Sequence, residues 1–241
     1  GRVDVPNLRD IKRRITSVQK TQQITSAMRM VAAAKMRRAQ DRIIAARPYA
    51  TRIDTLLSHL ASQADRKVHP LLAEREAERV CLVVVTADRG LCGGFNYSVI
   101  REANSRLQSY EGFEANMINV GRRGAGFFRR RGIYNILSEY PGIFNRLEFD
   151  HAITIGEDLK NRYISGELDR VEVVYNEFRS AISQGVVVQQ LLPITPVQPE
   201  GDKFFIDYLY EPSQAAVLDA LLARYLNIQM WHVLLESEAA E

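Results

Sequence analysis

The residues best placed to do chemistry lie in one turn, Thr86-Ala87-Asp88-Arg89-Gly90-Leu91-Cys92-Gly93-Gly94. It follows a β-branched run and precedes an amphipathic stretch, where a dinucleotide-binding turn would sit. The glycine spacing is wrong for that chemistry. G-x-G-x-x-G is absent, and so is G-x-x-x-x-G-K-[ST]. No acidic residue closes a second strand where a ribose-binding group is wanted. The turn reads instead as a tight strand–helix connection that needs positive backbone angles. Cys92 could be a nucleophile only beside a base in an electropositive pocket. The four histidines, His59, His69, His151 and His232, are all distant in sequence. Two cysteines and scattered histidines miss zinc-ligand spacing. Arg122-Arg123 and Arg129-Arg130-Arg131 could contact phosphate or nucleic acid, or simply form a solvated basic face. No catalytic, cofactor-binding or metal-binding set is therefore assigned.

The elements that position this turn follow from periodicity. Residues 79–86 form a continuous β-branched run, as a strand buried on both faces requires. Residues 96–110 alternate as an amphipathic helix. Further strands are expected at 116–120, 170–175 and 186–193, with 134–137 a short strand or an extended link. Helices are expected at 124–131 and 149–164, and a short helical piece before Glu78. Strands alternating with helices indicate a mostly parallel sheet covered by helices. Cys81 and Cys92 lie in or beside the apolar run, so buried thiols are favoured over a disulfide and a reducing compartment follows.

The termini have another pattern. Asn7 can cap a helix that starts at Leu8. Steps of three and four from Leu8 meet Ile11, Ile15 and Val18, a polar break at Gln22, Thr25 and Arg29, then Ala32, Met36, Ala39 and Ile43, and so on to Leu60. That seam spans a rod of roughly 80 Å. Pro48 removes one backbone hydrogen bond and is expected to kink it. Between Ile24 and Met36 the residues are apolar or small almost all round. A two-stranded pair buries one stripe, so this window must touch something on a second side, either a third helix or a sleeve of other subunits. At the other end Ser213 can cap a last helix with Leu218, Leu222, Tyr225 and Trp231 on its apolar face.

Charge divides the same way. Residues 1–60 hold 13 Lys/Arg against 4 Asp/Glu, net +9; residues 61–241 hold 19 against 25, net −6. A basic arm on a mildly acidic body points to an acidic partner. No stretch approaches the roughly 20 apolar residues that cross a bilayer. The N-terminus has no apolar core and does not read as a secretory signal. The last helix reaches Glu241 without glycine, proline or a basic final turn, which reads as a longer parent sequence cut short.

Several segments carry a family resemblance. Ile15–Arg42, ITSVQKTQQITSAMRMVAAAKMRRAQDR, and the following Arg47-Pro48-Tyr49 strongly resemble the N-terminal helix of F-type ATP synthase gamma subunits. Thr86–Asn96, TADRGLCGGFN, looks like that family's signature, carried by Thr86, Asp88, Arg89, Gly90, Leu91, Cys92, Gly93 and Gly94. Gln190–Pro193 and Tyr208–Pro212 match as well, so the resemblance covers the whole chain in order.

It implies an α/β fold whose long N- and C-terminal helices form an antiparallel coiled coil around an inserted Rossmann-like domain. The divisions would be a shaft helix at 1–60, an α/β foot with its linker at 61–210, and an incomplete second shaft helix at 211–241. The family's helix continues past Glu241, so the resemblance is to a C-terminally truncated member with a single-helix tip. Residues 175–186 carry no inserted cysteine pair, so the thiol switch of chloroplast members is not expected.

The implied role is a rotor without a catalytic site or cofactor. The shaft enters a ring of three alpha and three beta subunits, and the foot stands on the c-ring beside the epsilon subunit. Proton flow turns the ring, and the shaft alters the affinities of the catalytic beta subunits. By match to the motif, Met28, Arg29 and Lys35 face the beta subunits, and Tyr208 and Glu211 face the c-ring. Membrane attachment would be peripheral, through the c-ring, on the cytoplasmic face in a bacterium. The rival reading is a basic helical nucleic-acid-binding protein.

Overall fold

The computed structural model describes residues 7–63, 69–180, 183–195 and 213–241. The first helix, α1, runs Leu8–Gln63, 56 residues. Asn7 opens it, its carbonyl accepting from the Asp10 and Ile11 amides at 2.8 and 3.1 Å. It passes through Pro48 without a break.

The expected helical piece before Glu78 is absent; only a single turn forms, with the Leu72 and Ala73 amides on the His69 carbonyl. Tertiary contacts hold the next residues extended. Tyr163 donates its hydroxyl to the Ala73 carbonyl at 3.1 Å, and Arg75 donates to the Tyr163 carbonyl at 3.0 Å while lying over its ring.

The body then alternates: β1 (Arg79–Val85), α2 (Phe95–Gln108), β2 (Glu114–Val120), α3 (Arg122–Arg131), β3 (Asn135–Tyr140), a 3-10 turn at Ile143–Asn145, α4 (Phe149–Ile164), β4 (Arg170–Ser180) and β5 (Ser183–Leu192). The sheet order is β3-β2-β1-β4-β5. The first four strands are parallel, and β5 returns antiparallel to β4. The segment around 134–137 is thus a true strand, and β4 extends five residues beyond the expected Tyr175. The hairpin explains that length, because β4 and β5 pair as far as Ser180 with Ser183.

Strand alternation sorts the core into two layers. Val80, Leu82 and Val84 pack with Val99, Leu107 and Phe128 under α2 and α3. Cys81, Val83 and Val85 face the other way, into a larger cluster with α4 and α5.

The last helix, α5, runs Gln214–Ala240, and the Ser213 hydroxyl caps it by accepting from the Ala216 amide at 3.2 Å. It lies against α1, α4 and β4. Its Asn227 crosses α4 at Gly156, where a Cβ would fall 2.1 Å from the Asn227 amide oxygen. Arg42 of α1 meets Glu238 of α5, and Tyr49 meets Arg224, so the two helices run antiparallel. Among the described residues of α1, Ala39, Ile43, Ile53 and Leu57 are buried, and Ala39, Ile43 and Leu57 share one cluster with α5 residues.

Candidate functional site: the bare helix and the loops that brace it

From Leu8 to Lys35 every residue of α1 is exposed. At 1.5 Å per residue this is about 40 Å of helix with no cover from the described residues. Ile24 is 61% exposed, Met28 55% and Val31 58%, although each is a residue type normally buried. Arg29 and Lys35 are exposed on the same segment. No third helix among the described residues covers the Ile24–Met36 window.

The signature turn sits where this bare segment meets the body. A cleft of about 530 Å³ lies between Met28, Val31 and Ala32 on one side and Leu91, Cys92 and Phe144 on the other, and Lys35, Arg89 and Glu241 also line it. Leu91 projects into solvent, 97% exposed, at a positive φ of 67°; Gly93 has φ 57°. The positive backbone angles expected of this turn therefore fall on Leu91 and Gly93.

Most of the turn's polar groups are used internally. Thr86 donates its hydroxyl to the Val120 carbonyl at 3.2 Å and accepts from the Gly124 amide at 2.8 Å. Asn96 accepts from the Ala87 amide at 2.9 Å and directs its own NH2 to the Cys92 sulfur at 3.0 Å. The Asp88 carboxylate, 2% exposed, accepts from the amides of Arg122, Gly142 and Phe144 at 3.0, 2.6 and 2.9 Å.

These bonds occupy the N-terminus of α3. A phosphate needs free amides at a helix N-terminus. The first amides of α3 are taken by Asp88, the Ala87 carbonyl (3.2 Å) and Thr86. The sheet's switch point lies between β1 and β4, where an α/β fold would place a ligand. Ala87, Phe95 and Ala240 close together there, with Phe178 against them.

Cys92 fares no better as a nucleophile: burial raises its thiol pKa, and its hydrogen-bond neighbour is an amide. Cys81 is buried within β1, and burial pushes its thiol far up as well. Among the described residues no group of three His, Cys, Asp or Glu could hold a metal ion. The arginines of α3 are largely engaged by their own fold. Arg129 pairs with Glu139, Arg130 donates to the Gly126 carbonyl, and Arg131 lies over the Phe127 ring. No helix of the described residues is long and apolar enough to cross a membrane.

The structure thus brings Met28 and Lys35 to one cleft with Arg89, Gly90, Leu91 and Cys92. Tyr208 and Glu211 lie outside the described residues. Sequence reasoning missed Asn96 and the buried role of Asp88. A polar residue directly after a buried strand was the available signal, but its three amide partners come from loops remote in sequence.

These features define a helical-shaft protein: an α/β domain inserted between two antiparallel helices, one of them carrying a bare apolar segment. A family model described as ATP synthase matches residues 7–241. The ATP synthase gamma chain of Chlorobaculum tepidum is 47% identical over 243 residues, covering 98% of this chain and 83% of that protein. The gamma chain of Pelotomaculum thermopropionicum is 45% identical over 237 residues, with the same coverage. The chain belongs to the ATP synthase gamma-chain family. Its fold is similar to a chain of the Tetrahymena thermophila mitochondrial ATP synthase central stalk/c-ring, with TM-score 0.67, 23% identity and 90% and 93% of the two chains covered. A rotor chain of the Euglena gracilis enzyme has the same fold at TM-score 0.51 and 17% identity, with 86% and 87% covered.

Proposed function

We propose that this chain is the central rotor shaft of an F-type ATP synthase and has no catalytic site of its own. The observation that carries the reading is the bare helix, with Ile24, Met28, Met30 and Val31 all more than half exposed. Leaving so many apolar side chains in water is unfavourable, and a continuous exposed stripe marks an interaction surface. The chain spans 83% of the length of its relative from Chlorobaculum tepidum, so the rest of the second helix and a sleeve of alpha and beta subunits share the cover, and ATP chemistry resides in the beta subunits. The arm's net charge of +9 suits an acidic surface inside that sleeve.

Rotation places a different face of the shaft against each beta subunit in turn. A partner's affinity changes only if its contacts differ between states, and an asymmetric shaft provides that difference. Met28, Arg29 and Lys35 are the proposed beta-subunit contacts, and Tyr208 and Glu211 the proposed c-ring contacts. The epsilon subunit stands beside the foot. Membrane association is peripheral, through the c-ring, on the cytoplasmic face in a bacterium.

Co-expression with alpha and beta subunits tests this. A complex that retains the chain through gel filtration and hydrolyses ATP is expected. A chain that elutes alone, or that binds nucleic acid tightly at high salt, would overturn the reading.

A further inference from the structure

We infer that Asp88 is the positioning residue that makes the α/β domain and the two shaft helices one stiff body; this rests on the rotor reading above. Its carboxylate joins three loops at the carboxyl edge of the sheet. Asp88 itself follows β1, Arg122 follows β2, and Gly142 and Phe144 follow β3. The three amides reach it at 3.0, 2.6 and 2.9 Å, and its side chain is 2% exposed.

Two of these loops touch the shaft from different sides. The β1 loop packs Ala87 and Phe95 on Ala240 of α5. The β3 loop presents the Leu147 carbonyl to Arg42 of α1 at 3.4 Å, and its Phe144 is buried in the cluster that includes Ala39 and Ala239. Asp88 thus ties the loop that packs on α5 to the loop that touches α1. An ionised acceptor with several amide donors is a strong, directional tie, and a buried one resists local opening. Close packing then transmits strain across the tie instead of absorbing it. A rotor driven at its foot and loaded at its shaft needs that stiffness where the two meet.

The sheet contains its own control. Asp169, at the amino edge, is equally buried, its side chain 3% exposed, and accepts from the Glu78 and Arg79 amides at 3.2 and 2.9 Å and from the Arg79 guanidinium. Its hydrogen bonds reach no shaft helix.

The test uses full-length chain assembled with alpha and beta subunits, a bead fixed to the foot, and the shaft held by bound nucleotide. The thermal spread of the bead angle is inversely proportional to torsional stiffness. Asp88→Ala and Asp88→Asn should raise the angular variance above the wild-type value. Asp169→Asn should leave it at the wild-type value while lowering the melting temperature. If Asp88→Ala does not assemble, Asp88→Asn, which keeps one acceptor oxygen, carries the comparison. Wild-type variance in the Asp88 variants, or equal broadening in Asp169→Asn, overturns the inference. Failure of the wild-type chain to assemble would sink the rotor reading instead.

Discussion

Arg106 of α2 holds Glu172 of β4 with two hydrogen bonds, at 2.6 and 2.7 Å, and the Tyr110 hydroxyl adds a third at 2.6 Å. The Glu172 side chain is 5% exposed and that of Arg106 38%. Arg106→Ala leaves a buried carboxylate with only the Tyr110 hydroxyl and the more distant Arg170 guanidinium, at 3.8 Å. Partial solvation of the arginine moderates the loss, so a cost of about 2–4 kcal/mol is expected. Chemical denaturation measures it, and a loss below about 0.5 kcal/mol, typical of an ordinary surface change, would show the clamp to be idle.

Acid should loosen the α/β domain through this carboxylate and Asp169. Burial works against ionisation at both, but hydrogen bonds outweigh it, from Arg106 and Tyr110 at Glu172 and from Arg79 and Glu78 at Asp169. Both folded-state pKa values are therefore lowered from the ordinary 4.5 and 3.8. The sign follows: the stabilisation is complete above the unfolded-state values and disappears as pH falls through the lower folded-state ones. Melting temperature should stay level near neutrality and fall below pH 4.5. Glu172→Gln should flatten part of that fall while lowering the neutral plateau.

Gly121 is required by geometry. Its φ is +86°, and a Cβ there would lie 1.9 Å from the Thr86 carbonyl oxygen. Gly121→Ala must displace the backbone just after β1, so a loss of about 3 kcal/mol or more is expected. Gly93, at φ +57° with open space around it, offers a contrast. Gly93→Ala should cost only the left-handed penalty of about 1–2 kcal/mol. Equal stability of the two variants would contradict the close approach of the loops.

Met28→Lys separates folding from coupling. Met28 is 55% exposed, so stability should change by less than about 0.5 kcal/mol. In the assembled enzyme the new charge enters a basic, close-fitting stretch, and proton-driven ATP synthesis should drop. Normal synthesis in that variant would remove Met28 from the beta-subunit contacts.

Glu211→Ala should weaken retention of the c-ring on detergent-solubilised enzyme. Unchanged co-purification would remove Glu211 from the proposed contacts.

Local pattern determined much of this protein. The β-branched run of β1, the period of α1 and the caps Asn7 and Ser213 read directly from sequence, because each depends on neighbours within a few residues. The Thr86–Gly94 turn was legible as a connection without phosphate-binding spacing for the same reason. Long-range pairing hid the rest. The extension of β4 to Ser180 depends on β5, and the extended path at Ala73–Ala77 depends on Tyr163 and Arg75. Asp88 looked like one polar residue in a glycine-rich turn; only the fold brought it the amides of Arg122, Gly142 and Phe144. The sequence also left two covers open for the Ile24–Met36 window. Among the described residues α5 meets α1 from Ala39 onward, and residues Ile24–Lys35 have no cover from them. Periodicity says which face of a helix is apolar; only the packing of the whole chain decides which part of that face remains exposed.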